Sequence, residues 1–140
     1  MQAALDLAET AMTTAYWCIL IAALLPYLWV AIAKQSGKRY DNRDPRSWIA
    51  RQDNPRVLRA NAAQLNAFEA FAPFAAAVLM AQAAGVDGSR IAQLAIAFVV
   101  LRVAHGVFYI TGMHWLRSAA WGGALACVAW LMVAAARHIG

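Results

Sequence analysis

The chain contains a run of 23 consecutive uncharged and mostly apolar residues, from Ala11 to Ala33. At about 1.5 Å per residue, a helix of this length can cross the hydrocarbon core of a bilayer. Three further apolar blocks follow, at about residues 56–84, 91–112 and 118–136. Only 14% of the 140 residues are charged, whereas about a quarter are charged in soluble domains. We therefore predict an all-α integral membrane protein, a four-helix bundle that forms one domain over residues 1–140.

The polar segment between the first two spans, residues 34–55, determines the expected orientation. Residues 34–59 hold eight of the twelve basic residues in the chain and only three acidic ones. Because basic loops remain on the cytoplasmic side of a membrane, we expect this loop in the cytoplasm and both termini on the outer side. Orientation and contact with lipid headgroups also account for the net charge of +5, so no nucleic-acid partner is predicted. Asp44-Pro45 and Asn54-Pro55 are typical of helix starts, and a short interfacial helix containing Trp48 is expected.

The second span begins with a polar stripe. On a helix, Arg59, Asn66, Glu69 and Pro73 fall within an arc of about 80°, whereas Gln64 points to the opposite side. If the span starts in the cytoplasm, Asn66 and Glu69 lie roughly 10 and 15 Å deeper than Arg59. A carboxylate at membrane depth costs several kcal/mol unless it is paired. Glu69 is therefore a functional candidate.

Polar residues of the next two spans are expected at the same level: Arg102, His105 and Tyr109 on one face of the third span, and Arg117 and Ser118 at the start of the fourth. Taken singly, each has a structural explanation. Glu69 could pair with Arg102 or Arg59, and Arg117 could be an interfacial anchor. Taken together, the excess of arginine at one level favours an anionic ligand.

These residues resemble the MAPEG family, the membrane-associated proteins of eicosanoid and glutathione metabolism. The resemblance is carried by Arg59, by Asn66-x-x-Glu69-x-x-x-Pro73-Phe74, by Arg102-Val-Ala-His105-x-x-x-Tyr109, and by Leu116-Arg117-Ser118. It covers most of the chain, including the four spans and the basic first loop. It implies a homotrimer that binds glutathione between neighbouring subunits near the cytoplasmic face, and a lipophilic small-molecule substrate that enters from the membrane lipid.

The resemblance also implies roles for individual residues. The residues that would bind glutathione are Arg59, Asn66, Glu69, Arg102, His105 and Tyr109. Arg117 would stabilise the glutathione thiolate, with Ser118 beside the thiol, because the thiolate is the nucleophile and a nearby cation lowers the pKa of a thiol. No metal site is implied. The expected activity is that of a glutathione-dependent transferase or peroxidase acting on lipophilic electrophiles.

Two other functions remain open at this point. Leu65 and Trp121 stand where related glutathione-using enzymes have an arginine and a tyrosine, which favours a non-catalytic lipid-binding protein on the same scaffold. A small proton-coupled exporter would also have four short spans and one membrane carboxylate. Such exporters usually carry the glutamate on the first span and have a weak charge bias, whereas Glu69 lies on the second span and the bias here is strong.

Overall fold

The computed structural model describes the backbone from Gln2 to Gly140 and the side chains from Glu9 onward. All regular secondary structure in that range is helical. The five helices, in chain order, are α1 (Gln2–Ser36), α2 (Pro45–Ala50), α3 (Pro55–Ala83), α4 (Gly88–Thr111) and α5 (His114–Ile139). Four of them, all but α2, are long and apolar enough to cross a membrane. The prediction of an all-α four-helix membrane bundle is thus confirmed.

Local sequence signals explain where the helices start. The Asp44 carboxylate accepts a hydrogen bond from the backbone N–H of Ser47 at 3.2 Å, and Asn54 caps α3 in the same way. Each cap is followed by a proline at the first helical position, where a missing N–H costs nothing. Hydrogen bonding from Ser47 holds the pKa of Asp44 below its ordinary value, so the capping group is a carboxylate at neutral pH.

The connection between α4 and α5 is shorter than the sequence indicated. The apolar block predicts a span from residue 118, with residues 113–117 as a connection, whereas α5 already begins at His114. Gly112 makes this possible, because it ends α4 in the left-handed conformation (φ 80°) that only glycine adopts without cost. Arg117 lies within the first turn of α5.

The bundle pairs α1 with α3 and α4, and α5 with α3 and α4. We call the end that holds residues 37–54 and Gly112 the loop side, and the other end the terminal side. Near the terminal side, the Tyr16 hydroxyl donates to Gln82 Oε1 at 2.6 Å, which joins α1 to α3. At mid-bundle, the rings of Phe74 and Phe98 stack with centroids 3.8 Å apart, which joins α3 to α4.

The basic first loop folds back onto the helix ends. Trp48 of α2 is buried, and its indole N–H donates to the carbonyl of Arg39 at 3.1 Å. The Asn54 side-chain amide donates to the carbonyl of Ser36 at 2.8 Å, which closes the last turn of α1 onto the start of α3. The loop is therefore a packed cap on the loop side of the bundle, although its sequence is polar.

Trp29 fixes how closely α1 approaches α4. Its position near the end of the first span suggests an interfacial aromatic residue, but only 3% of its surface is exposed. The indole lies directly on Gly106, and a Cβ built on that glycine would overlap the ring. The interfacial interpretation of Trp29 is therefore wrong: the residue packs between α1 and α4, against the glycine that follows His105.

We predict that Gly106→Ala destabilises the protein by about 1–3 kcal/mol, because an added methyl group must displace the buried indole. The measurement is the free energy of unfolding by SDS titration in mixed micelles. The control is Gly122→Ala on α5, where a Cβ would meet no atom within 4 Å. Helix propensity alone should make that variant neutral or slightly more stable. Equal effects of the two substitutions would contradict the packing role of Gly106.

Candidate functional site

The centre of the site is a hydrogen-bonded link between α3 and α4. Arg102 is 3% exposed, and its Nη2 donates to the side-chain oxygen of Asn66 at 2.8 Å and to the backbone carbonyl of Asn66 at 3.0 Å. The Asn66 amide nitrogen in turn donates to Glu69 Oε2 at 3.4 Å. Three of the residues predicted from the sequence are thus brought together in one chain of contacts.

Glu69 makes no direct ion pair with another described residue. Among the described residues, the one ion pair within 4.0 Å joins Arg43 and Asp41 in the first loop. Glu69 reaches Arg102 through Asn66 instead, and its side chain is exposed at the bundle surface. The simple structural explanation, a direct pair with Arg102 or Arg59, therefore does not hold for the single chain. The carboxylate is left with capacity for another partner.

A cavity of about 250 Å³ opens beside this link, between α3, α4 and α5. The residues that line it are Asn66, Glu69, Ala70, Pro73, Phe98, Arg102, Trp121, Ala124, Leu125 and Val128. Its polar end holds the carboxylate and the guanidinium, and the rest of its wall is apolar. Pro73 lies within α3 and has no N–H to donate, so the carbonyl of Glu69 one turn earlier lacks its usual helical donor.

His105, Tyr109 and Arg117 form a second group towards the loop side. The rings of His105 and Tyr109 meet edge to face with centroids 5.5 Å apart. The Arg117 guanidinium lies over the Tyr109 ring, 4.5 Å from its centroid. His105 is 3% exposed, and its Nδ1 has no hydrogen-bond partner among the described residues. The ring is thus packed behind Tyr109 rather than presented at the surface.

Arg59 and Ser118 lie outside both groups. The Arg59 guanidinium packs over the turn between α4 and α5, where a Cβ built on Gly112 would lie 2.7 Å from Nη1. It makes no ion pair or hydrogen bond to Asn66, Glu69 or Arg102. Ser118 follows Arg117 on α5 and is exposed. These two residues border the loop-side rim of the site.

A second cleft, of about 270 Å³, lies on the other side of α3. Two cations and two amides contribute to its wall: Lys34, Arg46, Asn61 and Gln64. Lys34 lies over the Tyr40 ring at 4.2 Å. Within the described residues, neither cation has a carboxylate within 4.0 Å and neither amide side chain makes a hydrogen bond. The cleft is therefore a second cationic and hydrogen-bonding surface, displaced around α3 from the first.

The MAPEG family model matches residues 14–137, which is nearly the whole chain. This chain belongs to the MAPEG family. No individual curated protein and no solved structure is similar enough to count as a match. Membership places the protein among membrane proteins with a role in eicosanoid or glutathione metabolism.

Sequence reasoning missed the apolar part of the site in this MAPEG protein. Phe98 lies one turn before Arg102 on the same helical face, and Leu125 and Val128 lie one and two turns after Trp121. The sequence did contain a signal for this wall, because Trp121, Leu125 and Val128 have the spacing i, i+4, i+7 that puts residues on one face of a helix. In a membrane helix, however, apolar residues at that spacing also face lipid, so the pattern does not separate a cavity wall from a lipid-facing surface.

We predict that Asn66→Ala destabilises the protein by about 1.5–3 kcal/mol, because it removes a hydrogen bond to a buried guanidinium. The measurement is again SDS titration in mixed micelles. The control is Asn61→Ala, which removes an amide of the same helix. The Asn61 side chain makes no hydrogen bond to any residue that the structure describes, so this substitution should cost little. If both substitutions had the same effect, Asn66 would not be the residue that holds Arg102.

Proposed function

We propose that this protein is a glutathione-dependent transferase or peroxidase that acts on a lipophilic electrophile from the membrane. The observation that carries the proposal is the combination of free charges and an apolar cavity at one level. Glu69, Arg102 and Arg117 all retain unused hydrogen-bonding capacity, and the cavity of about 250 Å³ adjoins two of them. A polar co-substrate and an apolar one can therefore be held side by side.

The free groups suit the functional groups of glutathione. Its γ-glutamyl amine needs an anion, which Glu69 supplies. Its two carboxylates need cations, for which Arg102 has donors left on Nε and Nη1, and for which Arg59 stands on the rim of the site. Arginine is the better cation for this task, because its planar fork binds a carboxylate through two parallel hydrogen bonds.

Arg117 is the residue we assign to thiolate stabilisation. Its guanidinium contacts the Tyr109 ring but makes no ion pair or hydrogen bond within the described chain, so its donors remain available. A cation next to a thiol favours the thiolate, which is the nucleophile in conjugation and in peroxide reduction. The Ser118 hydroxyl, on the adjacent position of α5, supplies a further donor near the sulfur.

We predict that Arg117→Ala reduces the ultraviolet absorbance of the glutathione thiolate about tenfold in protein mixed with glutathione. Loss of the adjacent cation should raise the thiol pKa by one unit or more, which reduces the thiolate at neutral pH about tenfold. The same variant should lose conjugating or peroxide-reducing activity to a similar degree. The measurement is difference absorbance as a function of pH, with detergent-solubilised protein.

The control for this experiment is Arg137→Ala. It removes the same charge from the same helix, but from an exposed position at the terminal side. It should leave the thiolate signal unchanged. A wild-type protein that neither binds glutathione calorimetrically nor shows thiolate absorbance would refute the proposed activity altogether.

We also propose that the active form is a homotrimer in which the second cleft of one subunit completes the site of its neighbour. MAPEG proteins are generally trimeric. A closed ring requires two different surfaces on each subunit, and the two clefts lie on different sides of α3. A volume of about 250 Å³ is also below the range of about 300–1,000 Å³ that is usual for a complete ligand site.

We predict that Lys34→Ala weakens glutathione binding about tenfold, the effect expected from losing one charge-assisted hydrogen bond. Lys34 does not line the first cavity of its own chain, so a loss of affinity would have to act through a neighbouring subunit. Titration calorimetry gives the affinity. Lys38→Ala removes the same charge from an exposed position just after α1 and should bind glutathione as the wild type does. Equal affinities for all three proteins would contradict the shared site.

The second candidate is a non-catalytic lipid-binding protein. Trp121 lines the first cavity and Leu65 lines the second cleft, so each substitutes an apolar group for a polar one at a ligand-facing position. Such walls suit an acyl chain. Lipid that co-purifies with the protein, together with no response to glutathione, would favour this function over the first.

A further inference from the structure

One face of α5 carries a groove of about 640 Å³ that is separate from both the first cavity and the second cleft. We call it the α5 groove, and its lining residues are Ala126, Ala129, Trp130, Val133, Ala134, Arg137 and His138. At about 100° per residue, these positions centre roughly 180° around α5 from those that line the first cavity. The groove therefore opens away from the proposed reaction, towards the surroundings of the bundle.

The length of the α5 groove matches one leaflet of a bilayer. Its floor is made of alanines, and the exposed side chains of Trp130 and Val133 rise beside them. From Ala126 to Arg137 the helix advances about 16 Å, and half of a hydrocarbon core about 30 Å thick is about 15 Å. The groove thus follows the acyl-chain region of a single leaflet and ends at the membrane surface on the terminal side.

Two arginines from different helices border the end of the groove on the terminal side. Arg137 lies in the last turn of α5, and the Arg90 guanidinium of α4 lies 5.9 Å from the centroid of the Trp130 ring. Among the described residues, no carboxylate lies within 4.0 Å of either guanidinium. The nearby Asp87 instead caps α4, where it accepts from the backbone N–H of Arg90 at 3.0 Å. The apolar groove therefore ends in positive charge that no described acidic residue pairs with.

An apolar groove that ends in two guanidinium groups has the chemistry of an anionic phospholipid site. Guanidinium binds phosphate through two parallel hydrogen bonds, and alanine and valine leave room for an acyl chain. A soluble anion would use the arginines but not the groove. A zwitterionic lipid would bring a cation of its own next to two others. Trp130 also suits the headgroup level, where amphipathic rings concentrate.

We propose that the α5 groove binds one anionic phospholipid from the leaflet at the terminal side. Its phosphate contacts Arg90 and Arg137, and one acyl chain lies along Ala129 and Val133. The inference is independent of the proposed function, because neither arginine is assigned to glutathione and lipid binding is measured without glutathione.

The test follows Trp130 by fluorine NMR in mixed micelles titrated with phosphatidylglycerol or phosphatidylcholine. In protein with fluorine-labelled tryptophan, the Trp130 resonance is the one absent from Trp130→Phe. Its shift should give an affinity for phosphatidylglycerol about 25-fold higher than for phosphatidylcholine, because each basic residue contributes about fivefold to binding of an anionic lipid. Arg90→Ala and Arg137→Ala should each reduce this preference to about fivefold, and the double variant should have no preference.

A second pair of variants tests the acyl chain separately from the charges. Ala129→Phe fills the groove and should weaken phosphatidylglycerol binding about tenfold, the effect of displacing two methylene groups. The matched control is Ala119→Phe, which adds the same ring at an exposed position of α5 about two turns before the groove. It should bind phosphatidylglycerol as the wild type does.

Equal affinities for the two lipids, or a preference that survives the loss of both arginines, would overturn the inference. So would unchanged binding by Ala129→Phe, since no acyl chain would then occupy the groove. An equal shift of the Trp130 resonance with glycerol phosphate alone would show a site for soluble anions instead. If neither lipid shifts the resonance and Ala129→Phe dissociates an oligomer in light scattering, the groove is a contact between copies of the chain and the inference is wrong.

Discussion

The structure depends on how the Arg102 guanidinium is solvated. It lies 3% exposed in a membrane helix, where no water replaces lost hydrogen bonds, so partners must come from the protein. Asn66 supplies two of them, from its side chain and from its backbone. Because both lie on α3, this contact fixes the rotation of α3 relative to α4. It also fixes the direction of Glu69, three residues further along the helix, which is why the carboxylate faces the cavity.

Close apolar packing then fixes the distances between the helices. The indole of Trp29 against Gly106 joins α1 to α4 on one side of the network, and the stacked rings of Phe74 and Phe98 join α3 to α4 on the other. In lipid, helices gain little from burying apolar surface, so contacts of this kind contribute most of the association energy. The polar network therefore sits between two close contacts, which prevent α4 from rotating and exposing its arginine to lipid.

Most of the fold was predictable from the sequence, because bilayer thickness and the helical repeat act on every residue. The stripe of Asn66 and Glu69 and its level opposite Arg102 follow from the same periodicity. The helical repeat does not predict where the end of a long or aromatic side chain lies. Arg59 shares the stripe but extends to the turn at Gly112, and Trp29 points inward where an interfacial residue was expected. Both outcomes depend on a glycine elsewhere in the chain, one within α4 and one in the turn after it, which no pattern within a single helix reveals.

The uneven distribution of polar groups along the bundle bears directly on chemistry. Charged and amide side chains concentrate towards the loop side, whereas the buried cluster towards the terminal side is apolar, with Phe74, Phe98 and Leu131 at its centre. The first cavity lies where the two zones meet, with a carboxylate and a guanidinium at one end and Phe98, Leu125 and Val128 at the other. In the proposed reaction, a charged thiol compound would reach that boundary from water and an apolar molecule would reach it from lipid. Neither would have to enter the phase in which it is insoluble, which is why the proposed reaction is assigned to this level of the bundle.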